Sequence, residues 1–268
     1  MRLYRAREGS KLVDLKKAGL PNEKSLVRMI NSYNNEKLFF SDRVILVEGI
    51  TDKLVLERLV NDLVKALSIN EAIDVIDVGG KHNFPDYKLL ADSLKLPYCI
   101  VADRDYLRQV GSNSVRALFV SDAGKVLKSL FGKKSKDARV FIDELNGAIK
   151  DKNTLRLTQF LAYARSRQCT LRFPLSPDEL ASLENDIALL SSQGIFILSR
   201  GEIENYMPLG IRELKDIITW LDDENWLERM ERTARKELLR IVLGILRLNL
   251  GDMRSFYRHR RQMRGSLV

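Results

Sequence analysis

Apolar positions fall into distinct regimes along the chain. Between residues 43 and 105, short β-branched runs alternate with segments of helical spacing. RVILVEG (43–49) reads as a buried parallel strand ending in glycine. In TDKLVLERLVNDLVKAL (51–67), Leu54, Val55, Leu59, Leu63 and Val64 recur every three to four positions, the spacing of an amphipathic helix. AIDVIDVGG (72–80) is a second strand, FPDYKLLADSLK (84–95) a short helix with proline near its start, and PYCIVADRD (97–105) a third strand. This alternation predicts an α/β fold with a central parallel sheet flanked by helices.

The flanks are patterned differently. MRLYRA alternates as a short strand, Gly9-Ser10 breaks it, and LPNEKSLVRMINSYN follows with helical spacing. Residues 112–192 are less regular: VRALFVS (115–121) has strand character, and a helix-leaning stretch carries Lys125, Lys128, Lys133, Lys134 and Lys136. SPDELASLENDIALLSSQG (176–194) opens with a helix-capping pattern, Ser176 before Pro177 with Glu179 three residues on. IFILSRGEIENYMP (195–208) reads as another buried strand followed by an acidic turn, and residues 212–264 are helical. The expected organisation is a lead-in (1–40), an α/β domain (41–208) with a helical insertion at about 122–192, and a basic helical segment (209–268).

Composition narrows the class. With 268 residues, 45% hydrophobic and 30% charged, the chain can bury a substantial core in one large domain or two small ones. No run approaches the roughly 18 apolar residues of a membrane span, and the N-terminus lacks the apolar core of a signal peptide. A cytoplasmic protein with no membrane partner is therefore expected. Cys99 and Cys169 lie far apart, and His82 and His259 are the only histidines, so zinc and histidine-triad chemistry are disfavoured. Any metal must be held by carboxylates. The net charge of +9 is concentrated: residues 229–264 hold eleven Arg or Lys and three acids, a balance of +8, which leaves +1 for the rest. A basic segment beside a near-neutral body suits a polyanion such as nucleic acid, although a solvated helix face explains the composition equally well.

Three of the buried-looking strands end in acids: Glu48; Asp103 with Asp105; and Glu202 with Glu204. In a parallel sheet the carboxyl ends of the strands form the binding crevice, so these acids can converge. Asp103 and Asp105 are two apart and would share a face in extended chain. Asp52 follows Glu48 across Gly49, in the first turn of the next helix. Crowded carboxylates are costly unless a cation binds or protons are taken up. Hard divalent ions such as Mg2+ or Mn2+ prefer oxygen ligands, and two of them serve phosphodiester chemistry. Taken singly, each acid has an ordinary explanation in helix capping; the combination of E-G-x-x-D after one strand and DxD after another is far more specific.

VILVEGITDKLVLERL, VIDVGGKHNF and YCIVADRD together resemble the TOPRIM domain of topoisomerases, primases and the OLD (overcoming lysogenisation defect) nucleases. The lead-in NNEKLFFSDRVILVEG and the later GEIEN are similar to OLD proteins in particular. The resemblance covers residues 36–106, more weakly 195–208. It implies a TOPRIM-like parallel sheet and a divalent-metal-dependent DNA endonuclease that nicks and cuts duplex DNA with two Mg2+ or Mn2+ ions, Ca2+ being a non-productive substitute, in phage defence. Glu48, Asp52, Asp103 and Asp105 would be catalytic and metal-binding, with Glu202 and Glu204 as further ligands. DNA contacts are expected from Lys81, Lys236, Arg240, Arg258, Arg260 and Arg261. OLD nucleases also use a lysine near the transition state, for which Lys81, Lys215 and Lys236 are candidates.

OLD proteins carry an ATPase domain of the ABC type. This chain has no G-x-x-x-x-G-K-[ST] loop, so no ATP site is expected, and MRLYRAREGSKLV resembles the closing strand of such an ATPase. A C-terminal fragment of a longer protein, or a free-standing nuclease half, follows, with DNA as partner and either a homodimer or an ATPase domain beside it. The alternatives are a topoisomerase-like enzyme, which needs a catalytic tyrosine in a recognisable motif; a primase, which needs a zinc or helicase-binding domain; and a TOPRIM-fold binding or regulatory module without catalysis.

Overall fold

A computed structural model describes residues 2–6, 9–13, 35–121, 136–167 and 169–265. The helix expected over residues 20–34 and the lysines at 125, 128, 133 and 134 lie outside them. The chain divides into two compact units, one built from residues 1–104 and 189–268, the other from residues 105–188.

The first unit opens with an antiparallel pair, β1 (Arg2–Ala6) and β2 (Gly9–Val13), in which Ala6 stands opposite Gly9. Gly9 and Ser10, expected to break the structure, instead begin the second strand. After a 3-10 turn (Asn35–Phe39), the α/β pattern follows as expected: β3 (Arg43–Val47), α1 (Ile50–Leu67), β4 (Ile73–Asp77), α2 (Phe84–Ser93) and β5 (Tyr98–Ala102). Four residues of β3, Val44 to Val47, are fully buried, as a strand covered on both faces requires.

In the second unit, residues 115–121 split. Asn113–Ala117 is helical, capped by Ser112, whose Oγ accepts the Val115 N–H, and only Phe119–Ser121 is strand. The elements are α3 (Leu107–Val110), α4 (Asn113–Ala117), β6 (Phe119–Ser121), α5 (Lys136–Lys150), α6 (Thr154–Arg167), β7 (Cys169–Leu171) and α7 (Pro177–Ser192). Strands β6 and β7 pair antiparallel, and α5 packs on α6. The capping pattern at α7 forms as expected: Ser176 N–H donates to Glu179 Oε2 at 2.9 Å, and Glu179 N–H to Ser176 Oγ at 3.3 Å. Asp186 on α7 accepts the Ser112 N–H at 2.6 Å, tying the helix to the α3–α4 turn.

The chain returns to the first unit with β8 (Ile195–Ile197), then α8 (Leu214–Asp222), α9 (Arg232–Ile245) and α10 (Leu250–Gly265). The sheet order is β4–β3–β5–β8, all parallel. Helix α1 turns Val55, Leu56, Leu59, Val60 and Leu63 into the core, where α8, α9 and α10 pack against it. At its outer edge Asp62 collects three cations and donors: Arg58 at 3.2 Å, Arg260 at 2.9 Å and the Trp226 indole at 3.0 Å. Trp226 meets Trp220 edge-on, with centroids 5.4 Å apart. Among the described residues, no helix is long and apolar enough to cross a membrane.

Candidate functional site

Strand register brings the carboxyl ends of the sheet level. Val47 stands opposite Asp77 on β4 and Val101 on β5, and Ala102 stands opposite Ile197 on β8. Glu48 and Asp103 each follow the last residue of a central strand, β3 and β5 respectively. Adjacent strands lie about 4.8 Å apart, so these two acids leave neighbouring strands, with Asp103 one residue further along than Glu48. The ladder continues past the strands: Gly80 N–H donates to Glu48 O at 2.7 Å and Val78 N–H to Val47 O at 3.0 Å. Gly79 and Gly80, with φ of +72° and +113°, make this tight return in a region where a side chain would be strained.

Asp52 occupies the third position of α1 and accepts the Gly49 N–H at 3.1 Å. It is 7% exposed; its neighbour Lys53 is the other buried charge at this end of the helix. Burial, then the nearby Glu204 charge, and to a lesser degree Asp77, push the Asp52 carboxyl up from 3.8 to about 7, against the pull of the Gly49 N–H. Glu204 sits in a 3-10 turn (Ile203–Tyr206) that touches both α1 and α9, with Glu202 capping the turn. Asp77, which the motif reading overlooked, closes β4 and accepts the Gly79 N–H at 2.7 Å. Its signal was present in the sequence: an acid ending an apolar strand before paired glycines.

Two local expectations are corrected. Strand β5 stops at Ala102, and Arg104–Tyr106 forms a 3-10 turn, so the two-residue alternation of extended chain does not apply to Asp103 and Asp105. The cause is a competing partner: Arg104 N–H donates to Gly201 O at 2.8 Å and its guanidinium to Ser199 O at 3.0 Å. Likewise β8 ends at Ile197 rather than running into the acids, because Gly201 N–H closes a turn onto Leu198 O at 3.1 Å with φ of +115° at Gly201. Glu202 and Glu204 therefore come from a loop. Asp103 belongs to the first unit and Asp105 opens the second.

The donors at this end of the sheet are carboxylate oxygens, the ligand type hard divalent cations take. One oxygen each of Glu48, Asp103 and Asp105 is withdrawn from solvent. Among the described residues, no three Asp, Glu, His or Cys side chains close into a metal-holding group. Within the first unit, the acids around Asp52 form a loose set, in which Asp52 feels the charges of Glu204 and Asp77.

The basic residues divide. Lys81 lies in the 3-10 turn Lys81–Asn83 directly after the Gly80 bond to Glu48. Lys215, Lys236, Arg240 and Arg258 are exposed. Arg260 is turned inward, with only 13% of its side chain exposed, and is bonded to Asp62, to Glu228 at 3.0 Å and to Glu224 O at 2.7 Å. The side chain of Arg261 lies outside the described residues.

Residues 39–105 match the family model described as overcoming lysogenization defect protein-like, TOPRIM domain. This segment is similar to an OLD-like TOPRIM domain. Such a domain points to a nuclease-type or nucleic-acid-related function. Solved structures similar to the chain include the C-terminal region of the Xanthomonas campestris pv. campestris OLD protein, at 20% identity and a TM-score of 0.29, over 85% of this chain and 95% of that one. The C-terminal region of the Burkholderia pseudomallei OLD protein is similar at 18% identity and a TM-score of 0.27, over 84% and 99% respectively. No curated protein matches the chain.

Proposed function

We propose that the chain is a divalent-metal-dependent DNA endonuclease. The observation that carries this reading is the shared exit of Glu48 and Asp103 from adjacent central strands of the TOPRIM domain, with Asp52 buried at the start of the intervening helix. An oxygen-only donor set suits Mg2+ or Mn2+. Glu48, Asp52, Asp103 and Asp105 would hold the ions, with Glu204 and Glu202 completing the set from their loop. Bound ions would supply water activation and stabilisation of the leaving oxygen in phosphodiester hydrolysis. The chain itself contributes orientation: the Gly49 N–H fixes one Asp52 oxygen, and the Gly80 bond fixes the backbone of Glu48.

Duplex DNA would be gripped by the exposed cations of the C-terminal helices, Lys236, Arg240 and Arg258, and by Lys81 beside the acids. A second copy of the chain would supply the second cut, and an ATPase domain of the type found in OLD proteins is the natural partner. The test is plasmid relaxation. Supercoiled DNA should be nicked with Mg2+ or Mn2+, and chelator should stop the reaction. Plasmid left intact across several divalent metals at micromolar protein would end this reading.

A further inference from the structure

The loop joining β8 to the Ile203–Tyr206 turn is held from two sides. Towards β5, Leu198 N–H donates to Ala102 O at 2.9 Å, Arg104 N–H to Gly201 O at 2.8 Å, and the Arg104 guanidinium to Ser199 O at 3.0 Å. Towards α9, one carboxylate oxygen of Glu237 accepts both the Ser199 N–H at 2.9 Å and the Tyr206 hydroxyl at 2.5 Å. The same hydroxyl accepts the Arg200 N–H at 3.2 Å. Arg200 lies over the Tyr206 ring at 5.7 Å and bonds Glu231 and Thr233 at the start of α9. Tyr206 is 1% exposed, and burial, with the Glu237 bond, raises its hydroxyl pKa, so it stays a donor at neutral pH. Inside the loop, Asn205 donates to Arg200 O at 3.0 Å, and a Cβ at Gly201 would lie 2.9 Å from the Asn205 amide nitrogen.

We propose that Glu237 is a positioning residue for the acidic end of the sheet. From α9 it sets the loop that carries Glu204 towards Asp52 and that pairs with the backbone leaving Asp103. It acts through Ser199 and Tyr206 rather than on the acids directly. A helix of the basic segment is thereby registered against the acids, with Glu237 holding two points of the loop and Arg200 adding bonds to Glu231 and Thr233 at the helix start. The inference rests on the metal-nuclease reading, since positioning matters only if the acids serve a common ion.

Three variants test it, with Mn2+ as the probe. Glu237→Ala removes the acceptor of two donors. It should weaken Mn2+ binding by about 10-fold or more, the usual cost of losing a group behind metal ligands. It should also lower kcat with KM for DNA unchanged, and speed amide hydrogen exchange at Arg104 and Gly201 in metal-free protein. Glu237→Gln keeps an oxygen acceptor and should restore Mn2+ binding to within about threefold of wild type, a small part of the 10–100-fold range expected for such groups. Asp62→Ala destabilises α1 and α10 elsewhere and should leave Mn2+ affinity unchanged. Wild-type Mn2+ binding and exchange in Glu237→Ala would overturn the inference and leave the nuclease reading standing. So would Glu237→Gln as impaired as Glu237→Ala, or an equal loss of affinity in Asp62→Ala. A wild-type protein that neither binds Mn2+ nor cuts DNA removes the nuclease reading, and this inference with it.

Discussion

The Gly49 N–H and the Asp52 carboxylate form a cap at 3.1 Å on a group that is 7% exposed, so one side chain both starts α1 and stores an unfavourable charge. Its folded pKa of about 7 stands above the ordinary 3.8. A raised acid pKa means stability that is complete below pH 4 and lost as pH rises through 7. By linkage that loss is of order 4 kcal/mol. Asp52→Asn keeps the cap acceptor and removes the charge. It should melt higher than wild type at pH 8, with the gap closing towards pH 4. Parallel melting curves across that range would refute the assignment.

Asp103→Asn and Asp105→Asn each remove a carboxylate without changing its volume. Each is expected to cut supercoiled plasmid at least about 100-fold more slowly, since losing a ligand should cost no less than the top of the range for groups that only support ligands. Circular dichroism should remain unchanged. Full activity in either variant would remove that residue from the site.

Lys236 and Arg240 stand four apart on an exposed face of α9. Replacing both with alanine should weaken DNA binding and reduce the slope of log affinity against log salt by about 2, close to one per phosphate contact. Affinity should fall similarly for unrelated sequences, because phosphate contacts do not read bases. An unchanged salt slope would assign these residues to a solvated surface.

Arg260 should behave oppositely. Its guanidinium bonds Asp62, Glu228 and Glu224 O, and lies over the Phe256 ring at 5.8 Å. Arg260→Ala should destabilise the fold by about 3 kcal/mol, the lower range for breaking a largely buried ion pair. The check is a denaturant melt beside DNA binding measured well below the midpoint. Normal stability with weakened, less salt-sensitive binding would restore a direct contact with DNA.

The elements built from local spacing were legible in the sequence, and those that depend on a distant partner were not. Periodicity located β3, α1, β4, α2 and β5, because burial on both strand faces and on one helix face leaves its mark on the residues themselves. The end of β5 was hidden because Arg104 pairs with Gly201, nearly a hundred residues away, and no local rule reports that bond. For the same reason Glu202 and Glu204 read as a strand end but belong to a loop fixed by Arg104 and Glu237. Net charge marked the basic segment but could not separate Arg260, turned towards Asp62, from its exposed neighbours.

Building the first unit from residues 1–104 and 189–268 also constrains when it can form. On a ribosome, β3, α1, β4 and β5 emerge first, with the apolar side of α1 awaiting Trp220, Trp226 and Phe256. Those partners lie more than a hundred residues downstream, and contacts that distant form slowly. Residues 105–188 are contiguous and can collapse while the rest is still being synthesised. Translation that stalls before α8 would leave the α/β half without its cover and prone to aggregation.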